Sequence, residues 1–324
     1  MKTFKTILKV LAIIIIGFLL GFASYIQSNW PKKFSEPLPE IHASKDSAVI
    51  KRGEYLVYGP AHCGDCHVPI QQLGRIEKGE KVPLIGGHIF KLPFGEAITP
   101  NLTPDPETGI GKLSDGQIAR ALRHNIGNDG RGLIGFMAFQ HMSEEDMSAV
   151  ISYLRSREPV KSDHPNTSWN LMGRALWVFG MINPEGPSEL VPKSVTPDTT
   201  AQYGKYLANG ISNCKGCHTN RDMQTMAFTS PKFSGGFHME SEMHKGRVYI
   251  TPNLTPDPET GWIRNWSEKQ FIERFHKGRV YDDSPMPWTS FKNFSDSDLK
   301  AIYHYITSLD PVKHENGPTM VEKL

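Results

Sequence analysis

Cys63-Gly64-Asp65-Cys66-His67 is the stretch on which the reading of this chain turns. It returns as Cys214-Lys215-Gly216-Cys217-His218, 151 residues later (214 − 63). The two copies contain all four cysteines of the chain, so none is left for a disulfide scaffold. Other markers repeat around them in the same order. Gly53-Glu-Tyr-Leu56 matches Gly204-Lys-Tyr-Leu207, and Gly86-Gly87 matches Gly235-Gly236. The string Ile-Thr-Pro-Asn-Leu-Thr-Pro-Asp-Pro-Glu-Thr-Gly fills 98–109 and recurs unchanged at 250–261. Ser143-Glu-Glu-Asp146 matches Ser295-Asp-Ser-Asp298. Five markers at nearly one offset describe a duplicated module of ordinary domain size.

The composition agrees with two modest domains. The 324 residues are 38% hydrophobic and 22% charged, with 29 Gly and 24 Pro, which suits a turn-rich globular chain and not a coiled coil or a disordered one. A net charge of +2, from 36 basic and 34 acidic residues, gives no reason to expect nucleic acid.

Within each module the pattern is helical. Serines open capping-box sequences at Ser114–Gln117, Ser143–Asp146, Ser267–Gln270 and Ser295–Asp298. Apolar residues at helical spacing follow each, as in Met147, Val150, Ile151 and Leu154. The stretches 68–113 and 219–266 carry most of the Pro and Gly and read as long loops, which need something to wrap around.

The N-terminus is different in kind. Lys2, Lys5 and Lys9 precede an uncharged run of 17 residues from Val10 to Ile26. That is at the lower limit for spanning a bilayer. It exceeds the roughly 7–15 residues of a signal-peptide core, which favours a retained anchor over a cleaved signal. Either way the lysines stay inside and the rest is exported, with Trp30 placed as an interfacial anchor. The expected organisation is a membrane anchor or signal at 1–27, an extended tether at 28–44, a first domain at 45–160, a linker at 161–195, a second domain at 196–315 and a tail at 316–324. Trp169 to Ile182 within the linker is too short to span a membrane. It is expected to pack between the modules, with a membrane-surface helix as the sharper alternative.

Cys-x-x-Cys-His marks attachment of c-type haem. Residues i and i+3 share one face of a helical turn, so two thiols can meet the two vinyl groups of one porphyrin. The adjacent His67 or His218 then lies within reach of the iron. A thioredoxin-like pair or half a zinc site is the competing reading of a lone Cys-x-x-Cys. The adjacent histidine, the duplication and the export segment weigh against both. A second axial ligand is sought among methionines, whose thioether raises haem potential. Met286 sits between prolines in Ser284-Pro-Met-Pro-Trp288, on stiff backbone ahead of the last helix. Met137 in Gly135-Phe-Met-Ala-Phe139 is its counterpart, with Met142 as runner-up. His124, His141, His238, His244 and His276 are possible substitutes, and each reads more simply as a surface or satisfied histidine. The duplicated loop is turn chemistry and reads as scaffold. Its functional reading places Asn101 and Asn253 at the haem edge, bonded to a propionate.

Cys-x-x-Cys-His, the Thr-Pro-Asn-Leu-Thr-Pro-Asp-Pro-Glu-Thr-Gly loop, Met-Pro and the Ser-Asp-x-Asp-Leu helix together resemble the membrane-bound multihaem cytochrome c subunits of bacterial alcohol and gluconate dehydrogenases. The resemblance covers most of residues 45–315. It implies a mainly α fold of two tandem cytochrome c-type haem domains after an N-terminal transmembrane helix. It implies two covalently bound haem c groups, held by Cys63, Cys66, Cys214 and Cys217, with axial pairs His67/Met137 and His218/Met286. It also implies electron transfer on the periplasmic side of the bacterial inner membrane, with redox-protein donors and acceptors such as a dehydrogenase, an oxidase or another cytochrome. Those subunits usually carry three haems, whereas this chain has motifs for two. The function expected is a dihaem carrier between a periplasmic or membrane dehydrogenase and the respiratory chain, not an enzyme. The alternative is a dihaem peroxidase, which needs an open iron position and an acid–base group.

Overall fold

The structure is a computed structural model, and it describes residues 2–222, 227–241 and 243–322. The last two residues of the expected tail lie outside the described residues. The chain is mainly helical.

It begins with α1 (Lys2–Asn29), 28 residues long. At about 1.5 Å per residue this is some 42 Å, more than the roughly 30 Å of a bilayer core. Its apolar window has a mean hydropathy of 2.5 and no buried share, so it is long and apolar enough to cross a membrane.

The first repeat contains α2 (Ser47–Tyr58), α3 (Cys63–His67), α4 (Leu73–Glu77), strands β1 (Ile89–Leu92) and β2 (Gly95–Ile98), α5 (Asp115–His124) and α6 (Glu144–Arg155). Strand β3 (Ser168–Trp169) then returns to pair antiparallel with β2. Next comes α7 (Leu171–Val178). The second repeat follows the same plan: α8 (Ala201–Tyr206) with a π-helical continuation to Ile211, α9 (Cys214–Cys217), β4 (His238–Glu240), β5 (Arg247–Ile250), α10 (Glu268–Lys277), α11 (Trp288–Phe291) and α12 (Asp296–Thr307). Strand β6 (Met320–Glu322) pairs with β5 as β3 does with β2. The loops read from the sequence thus contain a hairpin each, completed by a strand from beyond the last helix of the repeat. Part of the expected linker and part of the expected tail belong to these sheets.

Each repeat is built on one close helix crossing, α2 on α6 and α8 on α12. Glycine makes the approach possible. A Cβ on Gly53 would stand 1.9 Å from the Ala149 carbonyl oxygen, and one on Gly204 would stand 1.9 Å from that of Ala301. The predicted apolar faces are the buried ones: Met147, Val150, Ile151 and Leu154 on α6, and Leu299, Ile302 and Ile306 on α12.

The four serine caps form as read. At α5 and α10 the box is reciprocal, with Gln117 and Gln270 reaching back to the cap residue. At α6 and α12 the serine accepts from the N–H of Asp146 and Asp298, but those carboxylates point elsewhere. Aspartate is one methylene shorter than glutamate, and here both are drawn to the other repeat. Tyr206 donates its hydroxyl to Asp146 at 2.8 Å and accepts from the Ser143 N–H at 3.0 Å. Tyr55 donates to Asp298 at 2.6 Å and accepts from the Ser295 N–H at 3.0 Å. Arg52 and Tyr203, which hold matching positions in the two repeats, meet at 3.3 Å. A residue touching its own counterpart marks a two-fold axis, so the repeats pack as the two halves of a symmetric dimer do.

Beyond α1 the expected tether carries no helix up to residue 44, and it is strapped to the first repeat. Phe34 N–H donates to the Gly130 carbonyl, Ala43 N–H to Asp115 and Ser44 N–H to Ser152. Trp30 packs on Trp177 with ring centres 6.5 Å apart. Helix α7 does not take the expected place between the repeats. Its main contacts are α1 and β3, and Trp177 joins Trp169 and Ala97 in a small core separate from the main one.

Candidate functional site

Both Cys-x-x-Cys-His motifs form a short helical turn, α3 and α9. The residue before each, His62 or Asn213, is left-handed with φ of 41° or 51°, which turns the chain sharply into the motif. All four cysteines are partly buried. Burial pushes the thiols of Cys63 and Cys214 up to about 12 and raises that of Cys217. That is not the setting of a redox Cys-x-x-Cys, which depends on a thiolate of low pKa.

The histidines are held alike. His67 Nδ1–H donates to the Pro100 carbonyl at 3.0 Å, and His218 Nδ1–H donates to the Pro252 carbonyl at 3.1 Å. Both acceptors belong to the duplicated Thr-Pro-Asn string. A carbonyl can only accept, so the proton is fixed on Nδ1 and the lone pair sits on Nε2. This is how proteins orient a metal-ligating imidazole. Burial lowers His67 to about 4 and lowers His218, so both rings are neutral at pH 7.

The paired glycines explain how the loop comes so close. Gly86 and Gly235 have φ of +75° and +74°, and their N–H groups donate to the carbonyls of His67 and His218 at 2.8 and 2.9 Å. A Cβ on either would stand 2.5 Å from the carbonyl oxygen, Pro100 or Pro252, that holds the imidazole.

Asn101 and Asn253 are almost fully buried. Asn101 donates both amide hydrogens within the chain, to the Val160 carbonyl at 2.8 Å and Thr108 Oγ1 at 3.1 Å. Asn253 repeats this with Val312 at 2.8 Å and Thr260 at 2.9 Å. Their hydrogen bonds support the scaffold reading: each asparagine ties the loop to the segment that follows the last helix of its repeat.

Met137 and Met286 are partly buried and pack against the main core. Arg123, missed in the sequence, is buried and donates to the carbonyls of Gln140 and Met142 at 2.7 and 2.6 Å, while Gln140 donates to that of Met137 at 3.1 Å. In the second repeat Arg274 lies 3.7 Å over the Trp288 ring, two residues from Met286. Asp283 anchors the other side of the Met286 loop by accepting from Arg247 at 2.9 Å, and from Tyr249 and Ser241 at 2.5 Å each. Met142 is 1% exposed and reads as core. His141 meets Ser188, His244 lies by Asp282, His276 is held by Asp296 and the Lys292 carbonyl, and His238 stands exposed on β4. His124 lines a surface pocket with Glu36.

The first motif also touches the second repeat. Asp65, between its cysteines, accepts from Ser290 Oγ on α11. Glu77 on α4 accepts from Arg279 at 3.1 Å and Thr289 at 3.2 Å, and its carbonyl accepts from Lys292 at 2.8 Å.

No family model matches the chain. It is 32% identical over 293 residues to the cytochrome c subunit of a quinone alcohol dehydrogenase from Gluconacetobacter polyoxogenes, covering 84% of this chain and 58% of the relative. It is 28% identical over 301 residues to the fructose dehydrogenase cytochrome subunit of Gluconobacter japonicus, 88% of this chain and 57% of the relative. Over 249 residues it is 26% identical to a diheme cytochrome c-type protein of Cereibacter sphaeroides, 75% of this chain and 78% of the relative. The chain thus spans under three-fifths of the length of the two dehydrogenase subunits.

Proposed function

The chain is a relative of the cytochrome c subunits of bacterial alcohol, fructose and gluconate dehydrogenases, and from that premise we propose that it is a membrane-anchored dihaem cytochrome. It carries electrons from a periplasmic or membrane dehydrogenase toward the respiratory chain. One observation carries the reading: a duplicated Cys-x-x-Cys-His turn whose histidine, in both copies, gives its Nδ1 proton to a proline carbonyl and keeps Nε2 for a ligand.

The donor set fits two haem c groups. Cys63 and Cys66 would hold the first by thioethers and Cys214 and Cys217 the second, and His67 with Met137 and His218 with Met286 would supply ligands to the two irons. Bound haem supplies a one-electron site whose potential the ligands tune. The residues around it act by position. Pro100 and Pro252 fix each imidazole, the Asn101 and Asn253 networks hold those prolines in place, and Arg123 and Asp283 brace the methionine loops. We assign Asn101 and Asn253 this scaffold role and not contact with haem. The haem domains occupy approximately 45–160 and 196–315 with their returning strands, and α1 is a retained single-pass anchor that places them on the periplasmic side.

None of the relatives described above carries a peroxidase name. The test is the full chain purified from membranes. The denatured polypeptide should weigh two haems more than the bare chain, and both haems should be six-coordinate and low-spin in either redox state. One haem mass, or a five-coordinate iron that turns over peroxide in the half-reduced protein, overturns the proposal.

A further inference from the structure

Four large apolar side chains stand half out of the surface between positions 171 and 181: Leu171 (49%), Met172 (50%), Phe179 (51%) and Met181 (63%). Single exposed apolar residues are ordinary, but a cluster of them on one short element is not. They lie on α7 and the turn behind it. Other residues of the same helix face inward. Trp177 is 1% exposed among Trp30, Phe34 and Trp169, and a Cβ on Gly173 would stand 2.2 Å from the Phe94 carbonyl oxygen. The one charged residue of the stretch, Arg174, is tied back into the chain, with Nε donating to the Trp169 carbonyl at 2.9 Å and a terminal N–H to Gln27 at 2.5 Å.

What covers this face follows from what it adjoins. The Phe179 ring stacks on Phe22 at 5.9 Å and on Tyr25 at 6.2 Å, near the C-terminal end of α1. The exposed apolar surface of α7 is therefore continuous with that of the helix that fits a bilayer.

We propose that α7 and the turn through Met181 lie in the boundary between lipid headgroups and acyl chains, as a second membrane contact beside α1. This rests on α1 being a retained anchor. At eight residues and about 12 Å, α7 lies along the surface and does not enter the core. Because β3 leads directly into α7 and pairs with β2, the contact fixes the first repeat against the bilayer instead of leaving it to swing on a tether.

The test uses full-length protein in vesicles of phosphatidylethanolamine and phosphatidylglycerol, with one nitroxide label at an introduced cysteine. Met172→Cys is compared with Ile14→Cys on α1 and Lys269→Cys on the exposed face of α10. Relaxation by oxygen relative to a water-soluble nickel complex should be severalfold higher at 172 than at 269, and at 14 higher still. A ratio at 172 equal to that at 269 overturns the proposal, as does shielding from both reagents, which would mean protein covers the site. A water-like ratio at 14 would instead refute the anchor. Label uptake by the parent chain would refute thioether attachment.

Discussion

Tyr55 and Tyr206 hold matching positions in the two repeats and make the same pair of hydrogen bonds across one interface, each to the capping serine's N–H and the third-position aspartate of the other repeat's last helix. The two aspartates differ in what else they have. Asp146 also accepts from Arg52 at 2.8 and 3.1 Å. Among the described residues Asp298 has no arginine bonded to it and takes the Tyr55 hydroxyl, with the Ser295 side chain beside it. Tyr55→Phe should therefore cost more, about 2–3 kcal/mol, than Tyr206→Phe, at about 1 kcal/mol. Denaturant unfolding followed by haem absorbance measures both, and a larger loss for Tyr206→Phe would sink the argument.

Gly53→Ala and Gly204→Ala each push a methyl group against a backbone carbonyl 1.9 Å away. The helix pair must separate to admit it, at a cost of about 2–3 kcal/mol or more per site. Alanine is the better helix former, so a change judged by propensity alone would stabilise. The sign of the shift in unfolding midpoint decides between the two.

Met286→Ala should lower the midpoint potential of one haem by on the order of 0.1 V, a fraction of the roughly 0.8 V that axial ligands span. The vacated position should then bind added imidazole. Met137→Ala should do the same to the other haem and leave the first unchanged. Spectroelectrochemistry of the two variants assigns each wave, and an unmoved potential removes that methionine from the site.

Asp105 and Asp257 bear on acid stability. The backbone N–H of Thr108 or Thr260, and then the threonine hydroxyl, hold each carboxyl below the usual carboxylate range. Such a group binds fewer protons folded than unfolded, so its contribution is fully present above the ordinary carboxylate pKa and disappears as pH falls through the depressed one. The double variant Asp105→Asn, Asp257→Asn should be less stable than the parent at pH 7, with the gap closing below about pH 4. A gap of constant size at pH 7 and pH 3 would show that charge is not the cause.

Much of this was written plainly in the chain. The haem motifs, the duplication, the capped helices and their buried faces rest on local spacing. The sheets did not show themselves, because β1 and β2 are four residues each around a Pro93-Phe94 turn and their third strand arrives from beyond residue 160. Asp146 and Asp298 read as box partners because their spacing is right. Only the presence of the other repeat shows that they serve an interface. The imidazole acceptors were hidden for a different reason: a backbone carbonyl leaves no residue signature, and Pro100 was visible only as a turn former. Helix α7 shows an apolar composition in the sequence, but which neighbour it chooses is a matter of three dimensions.

The two-fold arrangement of the repeats has a consequence for how such a chain comes about. Reciprocal contacts about an axis are what two identical copies make when they associate. The chain has the form of an ancestral homodimer whose subunits became covalently joined, with residues 170–200 as the seam. In a true homodimer every substitution is made twice. After fusion each is made once, and the halves are free to part ways. Asp65 with its bond to Ser290, opposite Gly216 in the other motif, is one place where they have.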